Sequence, residues 1–131
     1  MSSLLKITGS DGSQKRNAND FYPTPDSATE AILNRELFSQ DVWEPACGDG
    51  AISKVLQKRS HNVISTDLID YGYGSSGRDF LFEQELLAPN IITNPPFSLA
   101  HEFAQKAIDL GVNKLALLVR LQFLEGIKRG E

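Results

Sequence analysis

The sequence predicts an α/β fold with a mostly parallel sheet, helices on both faces and about five strands. Short apolar or β-branched segments alternate with segments whose apolar residues repeat at helical spacing, which is typical of a parallel sheet built from strand–helix units. The segment LALLV (115–119) is apolar at every position, as expected for a strand that is covered on both faces.

The length and composition fit one domain: the chain has 131 residues, of which 40% are hydrophobic and 23% charged. No apolar run reaches the roughly 20 residues of a membrane span, so we expect no membrane partner. The single cysteine fits a reducing cytoplasm, and the scattered histidines and cysteine predict no metal site. The net charge of −4 does not favour binding to nucleic acid through bulk attraction, but it leaves room for a local basic face.

The first half of the chain predicts an N-terminal arm, two helices and two strands. Residues 1–20 are almost entirely polar after their first few positions, so we expect a flexible arm, followed by a domain over 21–131. Thr24 is expected to cap a helix that begins at Pro25 and ends near residue 38. A strand over 41–46, a helix from 51 to about 59 and a strand over 62–68 follow.

The second half is less regular. Residues 80–90 are ambiguous between a short strand and a turn with a helical piece. A strand over 90–94 precedes a helix that Ser98 is expected to cap and Gly111 to end. The last predicted strand covers 113–121 and is nearly continuous in apolar residues.

Three unusual segments fall at the carboxyl ends of predicted strands. They are EPACGDG (44–50), TD (66–67) and NPPF (94–97). Ligands of open α/β sheets bind outside these strand ends, so we expect the three segments to share one site.

The glycine turn EPACGDG predicts a ligand site rather than a bare structural turn. Gly48 and Gly50 let the backbone approach a ligand closely. A dinucleotide fingerprint needs a third glycine, which is missing, and Glu44 and Asp49 would repel a pyrophosphate. The same carboxylates suit the ammonium and sulfonium groups of S-adenosylmethionine.

Other carboxylates could complete a nucleoside pocket. Asp67 can accept hydrogen bonds from ribose hydroxyls, although a lone Asp at a strand end is more often a turn residue, and Asp70 competes with it. Asp79 could accept from an adenine amino group beside Phe80. The alternative is that Asp79 is a loop residue and Phe80 a core residue.

The segment NPPF predicts a catalytic loop, with a plain Pro-Pro turn as the alternative. The Asn94 side chain and the stiffly held Pro95 carbonyl could both accept from one exocyclic amine, which would free the nitrogen lone pair to attack a methyl group. Phe97 could stack on a base and offset the cost of swinging that base out of a duplex.

The sequence resembles the S-adenosylmethionine-dependent amino-methyltransferases, and most closely the adenine-specific DNA methyltransferases. The segments that carry the resemblance are, in this order, EPACGDG, TD, DF (79–80) and NPPF. FYPTP (21–25) resembles their N-terminal cofactor segment, and the resemblance covers roughly residues 21–125. It implies a Rossmann-like methyltransferase fold and methyl transfer to an exocyclic amino group of DNA, with adenine favoured. The catalytic residues that it implies are Asn94, Pro95, Pro96 and Phe97. The cofactor-binding residues are Tyr22, Pro23, Thr24, Glu44, Ala46, Cys47, Gly48, Gly50, Asp67, Leu68, Asp79, Phe80 and Asn94.

The sequence departs from this family after the last predicted strand. The family's catalytic domain has seven strands, the last two in a closing hairpin, whereas this sequence ends at Glu131. We therefore expect a partial domain: a truncated product or fragment, or a chain that pairs with a second subunit or with itself through the 115–121 edge strand. The alternative functions are methylation of a protein glutamine amide or an RNA base, and a non-catalytic remnant that binds cofactor or pairs with a subunit.

Overall fold

The computed structural model describes residues 23–119, so the predicted arm, Tyr22 and residues 120–131 lie outside the described part. The helices are α1 (Asp26–Arg35), α2 (Ala51–Lys58) and α3 (Ala100–Asp109), and 3-10 helices cover Phe80–Phe82 and Phe97–Leu99. The strands are β1 (Asp41–Glu44), β2 (Asn62–Ser65), β3 (Asn90–Thr93) and β4 (Lys114–Leu117).

The four strands form one parallel sheet in the order β2-β1-β3-β4. Val42 of β1 lies between Val63 of β2 and Asn90 of β3, so β1 pairs on both sides. All four carboxyl ends therefore meet at one edge of the sheet. The predicted mostly parallel sheet is confirmed, and its strands end up to four residues earlier than the sequence predicted.

The two faces of the sheet are both covered, as predicted. Trp43 and Ile91 lie in one core cluster, into which Phe103 of α3 packs. The next residues along the same strands, Val42 and Ile92, lie in a second cluster with side chains of α2. This alternation follows from the two-residue period of a strand, and it places α3 on one face and the contacting helices α1 and α2 on the other.

The described residues contain four strands, where the sequence predicted about five. The glycine-rich loop after β2 forms only an isolated parallel bridge, between Thr66 and Ser75. Gly72, Gly74 and Gly77 all have positive φ, which interrupts an extended chain around the bridge. The ambiguous 80–90 segment begins with a 3-10 helix and forms no strand before Asn90.

Both predicted helix caps were wrong. Helix α1 begins at Asp26, with Pro25 at the N-cap position and no side-chain cap hydrogen bond, and it ends at Arg35 because Glu36 is extended. Ser98 lies inside the second 3-10 helix, and α3 begins only at Ala100. The predicted end of α3 is confirmed, since Gly111 follows it with φ +86°.

Strand β4 pairs only with β3 in the described part of the chain, so it is an edge strand there, and its residues are half-buried. Pairing of a second chain with this edge stays a prediction. Among residues 23–119, no helix is both long and apolar enough to cross a membrane.

Gly74 and Gly72 form a matched pair for testing the packing of the glycine-rich loop. Both have positive φ, but a Cβ at Gly74 would lie 2.6 Å from the Ser65 carbonyl oxygen, whereas a Cβ at Gly72 would meet nothing within 4 Å. We expect Gly72→Ala to lower the free energy of unfolding by about 1–2 kcal/mol. Gly74→Ala should lower it by ~1–3 kcal/mol more than Gly72→Ala does. Urea unfolding measures both, and equal costs would show that the loop does not pack on β2 as described.

Candidate active site

A cleft lies at the carboxyl edge of the sheet, and we define it by the residues that line it. It encloses about 490 Å³ of open space, its mouth included. The lining residues are Pro23, Thr24, Glu44, Ala46, Cys47, Gly48, Asp49, Ala51, Ile52, Asp67, Tyr71, Asn94 and Pro96. All three segments that the sequence singled out therefore contribute to one site.

The glycine turn after β1 is tied to the end of β2. The Cys47 amide donates to the Thr66 carbonyl oxygen at 3.0 Å, and the Gly48 amide donates to Asp67 Oδ2 at 2.9 Å. The other Asp67 oxygen accepts from the Ile69 amide at 2.9 Å. These bonds hold the Asp67 carboxylate in the cleft wall. The competing Asp70 is exposed and bonds the Gly72 amide instead, outside the lining.

Gly50 allows an aromatic ring to close over the start of α2. It is the N-cap of α2 with φ +89°, and a Cβ there would lie 2.7 Å from atoms of the Tyr73 ring. The Lys54 ammonium lies 5.4 Å from the centre of the same ring, within the range of a cation–π contact. The glycine is thus required for packing, and the sequence alone did not show that Tyr73 is the reason.

Glu44 is a buried acid at the end of β1, with a side chain only 1% exposed. Ser53 Oγ donates to Glu44 Oε1 at 2.5 Å, so the 2.7 Å contact between the two serine hydroxyls makes Ser65 the donor to Ser53. Burial raises the pKa of Glu44 to about 8, against the lowering effect of the Ser53 hydrogen bond. Glu44 is therefore mostly protonated at neutral pH.

Cys47 lines the cleft as an unreactive thiol. Burial, followed by the charge of Glu44, raises its pKa to about 12. Because the thiolate is the nucleophilic form of cysteine, this side chain contributes shape rather than chemistry.

Asn94 follows β3 at a firmly held position. The preceding Thr93 is fully buried, its hydroxyl oxygen accepts from the Ala46 amide at 3.3 Å, and its carbonyl oxygen accepts from the Leu118 amide at 2.9 Å. Asn94 Nδ2 in turn donates to Thr24 Oγ1 at 3.1 Å. The segment before α1 and the end of β3 thus meet at the cleft, which the sequence order alone does not show.

The structure brings most of the predicted site residues together, but not all of them. Leu68 packs against the core cluster around Trp43, and Pro95 is buried. Phe97 is half-buried in the second 3-10 helix, and Gly50 lies beneath the Tyr73 ring. None of these four is in the cleft lining, and neither are Asp79 and Phe80. The ligand contacts of all the predicted site residues stay predictions.

Phe80 is a core residue, which was the alternative interpretation of the sequence. Its ring lies 5.2 Å from the Trp43 ring, edge to face, and 4.8 Å from the Phe103 ring. Asp79 caps the first 3-10 helix, because its Oδ1 accepts from the Leu81 amide at 3.0 Å. The other oxygen, Asp79 Oδ2, is buried without a hydrogen-bond partner. Such an orphaned acceptor costs free energy unless a ligand donates to it.

Several lining residues were missed as site residues. Ala51 and Ile52 open α2, and Asp49 was recognised only for its charge. Tyr71 lies in the glycine-rich loop after β2. The feature of the sequence that could have identified it is an aromatic residue in a loop that follows the carboxyl end of a strand. Loops at that edge line the ligand sites of parallel α/β proteins, so this aromatic could have been singled out.

The fold is that of known methyltransferases. The sequence matches no protein-family model and no curated protein. A solved structure of a candidate RNA methyltransferase from Pyrococcus horikoshii has a TM-score of 0.59 and 19% identity, covering 83% of this chain and 68% of that one. A TehB-like, S-adenosylmethionine-dependent methyltransferase from Corynebacterium glutamicum has a TM-score of 0.50 and 19% identity, covering 97% of this chain and 83% of that one. These likenesses confirm the predicted Rossmann-like methyltransferase fold.

The raised pKa of Glu44 predicts a pH dependence of stability. The folded-state pKa of about 8 lies above the ordinary value of 4.5, so this group's stabilising contribution is complete below pH 4.5 and is lost as the pH rises through about 8. The free energy of unfolding of the wild type, measured relative to Glu44→Gln in urea, should therefore fall steadily between about pH 5 and pH 8.

The matched control is Glu85→Gln, which changes an exposed glutamate in the same way. Its difference from the wild type should stay flat over the same range. If the difference in free energy of unfolding between the wild type and Glu44→Gln also stayed constant with pH, Glu44 would ionise in the folded protein as an exposed glutamate does.

Proposed function

We propose that this protein is an S-adenosylmethionine-dependent methyltransferase whose substrate is an exocyclic amino group of a nucleic-acid base, with adenine in DNA as the first candidate. The observation that carries the proposal is the placement of Gly48, Asp67 and Asn94 in one cleft at the carboxyl edge of the sheet. A cofactor bound at Gly48 and Asp67 would lie beside an amine bound at Asn94, as transfer between two bound molecules requires.

The residues of the cleft fit the cofactor in charge and in hydrogen-bonding capacity. Asp49 and Asp67 supply negative charge for a ligand that carries an ammonium and a sulfonium group, and Glu44 adds a buried acid beside them. Left-handed Gly48, with φ +55°, exposes backbone at the same place. Asp79 lies outside the lining of the cleft, and its orphaned Oδ2 is proposed as the acceptor for the amino group of adenine.

When bound, S-adenosylmethionine would supply an electrophilic methyl group; its transfer to the amine nitrogen would leave the electron pair of the broken carbon–sulfur bond on sulfur, and the amine proton would be released to bulk solvent after transfer. The chain's own residues align the amine for this reaction. The Asn94 carboxamide oxygen and the Pro95 carbonyl oxygen are proposed to accept its two hydrogens, which aims the nitrogen lone pair. Alignment and exclusion of water then account for catalysis without a general base.

RNA is the second candidate substrate. The likeness to the Pyrococcus horikoshii protein, which is described as a candidate RNA methyltransferase, favours it. The order N-P-P-F at 94–97 resembles the DNA adenine enzymes, and this keeps DNA first.

The experiment uses the full chain of 131 residues. Calorimetry with S-adenosylmethionine should show binding, and a tritiated methyl group should pass to unmethylated double-stranded DNA rather than to transcribed RNA or a glutamine-containing peptide. Asn94→Ala should abolish transfer, since the amine loses an acceptor, while cofactor binding is retained. Transfer to RNA or to the peptide instead would overturn the choice of substrate. Binding without any transfer would mean that the chain is a cofactor-binding remnant, and absence of binding would contradict the whole proposal.

Asp79→Asn tests the adenine-binding role. Asparagine keeps one oxygen for the Leu81 amide but replaces the orphaned acceptor with an amino group, which would face the cofactor's amino group donor to donor. The affinity for S-adenosylhomocysteine should fall roughly tenfold or more. The inosine analogue, which carries an acceptor at that ring position, should bind the variant better than it binds the wild type. Unchanged affinities for both ligands would assign Asp79 a capping role alone.

A further inference from the structure

The cleft contains an aromatic ring that none of the predicted cofactor contacts uses. The sequence placed Phe80 beside the adenine, but the Phe80 side chain is only 2% exposed and its ring packs edge to face on the Trp43 ring. Within residues 23–119, Tyr71 is the only aromatic residue that lines the cleft, and it is half-buried there. If the cleft binds a nucleoside, Tyr71 is therefore the residue that can offer it an aromatic face.

The loop that carries Tyr71 begins and ends at Asp67. The Asp67 amide donates to the Ser75 carbonyl oxygen at 2.9 Å, and the Arg78 amide donates to the Asp67 carbonyl oxygen at 3.0 Å. Asp67 is the predicted ribose acceptor, and its side chain is held in the cleft wall. Tyr71 thus lies four residues from that acceptor, in a segment that folds back on the same residue.

The backbone on both sides of Tyr71 is held in place. Asp70 Oδ1 accepts from the Gly72 amide at 2.8 Å, which closes a tight turn with Tyr71 at its centre. The Tyr73 carbonyl oxygen accepts from the Cys47 thiol at 3.5 Å, which joins the loop to the glycine turn after β1. The tyrosine is therefore attached to the cleft wall by a fixed stretch of chain.

An adenosine ligand requires different contacts for its sugar, for the edge of its base and for the face of its base. Asp67 offers the ribose hydroxyls an acceptor, and Asp79 is the proposed acceptor for the amino group of adenine. The face of the base has no such group to satisfy and is stabilised by stacking on an aromatic ring. Among the lining residues within 23–119, only Tyr71 carries a ring with a π face.

We propose that the adenine ring of the cofactor stacks on Tyr71, which makes Tyr71, and not Phe80, the aromatic wall of the nucleoside pocket. The inference rests on the proposed function, because it concerns the bound cofactor. Stacking is indifferent to the hydrogen-bonding edge of the base, so Tyr71 contributes equally to the binding of adenosine and inosine ligands. Asp79, by contrast, distinguishes the two, and the roles of these residues can be separated by experiment.

The chain offers a matched set of variants. Tyr71→Phe keeps the ring and removes the hydroxyl, and Tyr71→Leu keeps an apolar side chain without a ring. Phe82→Leu makes the same change at an aromatic residue that is 58% exposed and lies outside the cleft lining. The indole N–H of Trp43, the single tryptophan, donates to Thr66 Oγ1 at 3.1 Å. Its ¹⁵N signal in the ligand-free variants should stay in place and thereby show that the fold is retained.

Calorimetry with the full chain compares three ligands that share the nucleoside. They are S-adenosylhomocysteine, its inosine analogue and 5′-methylthioadenosine, which lacks the amino-acid end. Tyr71→Leu should weaken the binding of all three by a similar factor of roughly fivefold or more, because each loses the same stack. Tyr71→Phe and Phe82→Leu should leave the three affinities unchanged.

A second measurement reports the stack itself. In proton spectra, the adenine H2 and H8 signals of S-adenosylhomocysteine should move upfield on binding to the wild type, because a stacked aromatic ring shields them. The upfield shift should persist in Tyr71→Phe and Phe82→Leu and be largely lost in Tyr71→Leu. A change that only disturbed the loop would lower affinity without removing this shift from the ligand that still binds.

Other results would overturn the inference. Unchanged affinities in Tyr71→Leu, or an upfield shift that survives in it, would show that the adenine does not stack on this ring. A loss confined to S-adenosylhomocysteine would place Tyr71 at the methionine end, and an equal loss in Tyr71→Phe would assign the effect to the hydroxyl. If the wild type binds none of the three ligands, the proposed function fails together with the inference. Binding without methyl transfer would contradict only the proposed activity, and the stacking measurements would still decide the role of Tyr71.

Discussion

Parallel pairing of β1 with both of its neighbours is the constraint on which the cleft depends. It brings to one edge three chain segments that are far apart in sequence, after β1, after β2 and after β3. Hydrogen bonds beyond the strands complete the arrangement: the Cys47 amide bonds Thr66 on one side, and the Ala46 amide bonds Thr93 on the other. The glycine turn is therefore held between two strand ends, and it can change position only if the sheet itself does.

The same edge concentrates polar groups that a sheet of this size could not otherwise bury. Glu44 is accommodated because its raised pKa keeps it mostly neutral and because the Ser53 hydroxyl, which also contacts the Ser65 hydroxyl, donates to it. Asp67 remains in the wall because two backbone amides donate to it. The cleft thus combines a neutral buried acid with the carboxylates of Asp49 and Asp67, and these two carboxylates suit a cationic ligand better than a phosphate.

Periodicity in the sequence was enough to predict the parallel sheet, the two covered faces and the shared position of the three motifs. It could not assign Phe80, because a core position and a ligand wall both require an apolar ring. It also failed for Thr24, because helix capping is a local rule and the actual partner, Asn94, follows β3 and is 70 positions away in the sequence. The possible strand in the ambiguous 80–90 segment does not form, and the sequence could not exclude it, because a short apolar segment fits a strand and a helical turn alike.

The most direct test of the central claim is where a cofactor product binds. In ¹⁵N spectra of the full chain, added S-adenosylhomocysteine should shift the backbone amides of Gly48, Asp67 and Asn94, since these three mark the cleft, and should leave Ala107, in the second half of α3 and outside the cleft lining, unmoved. Shifts centred on α3, or none at saturating concentration, would contradict the assignment of the carboxyl edge as a cofactor site.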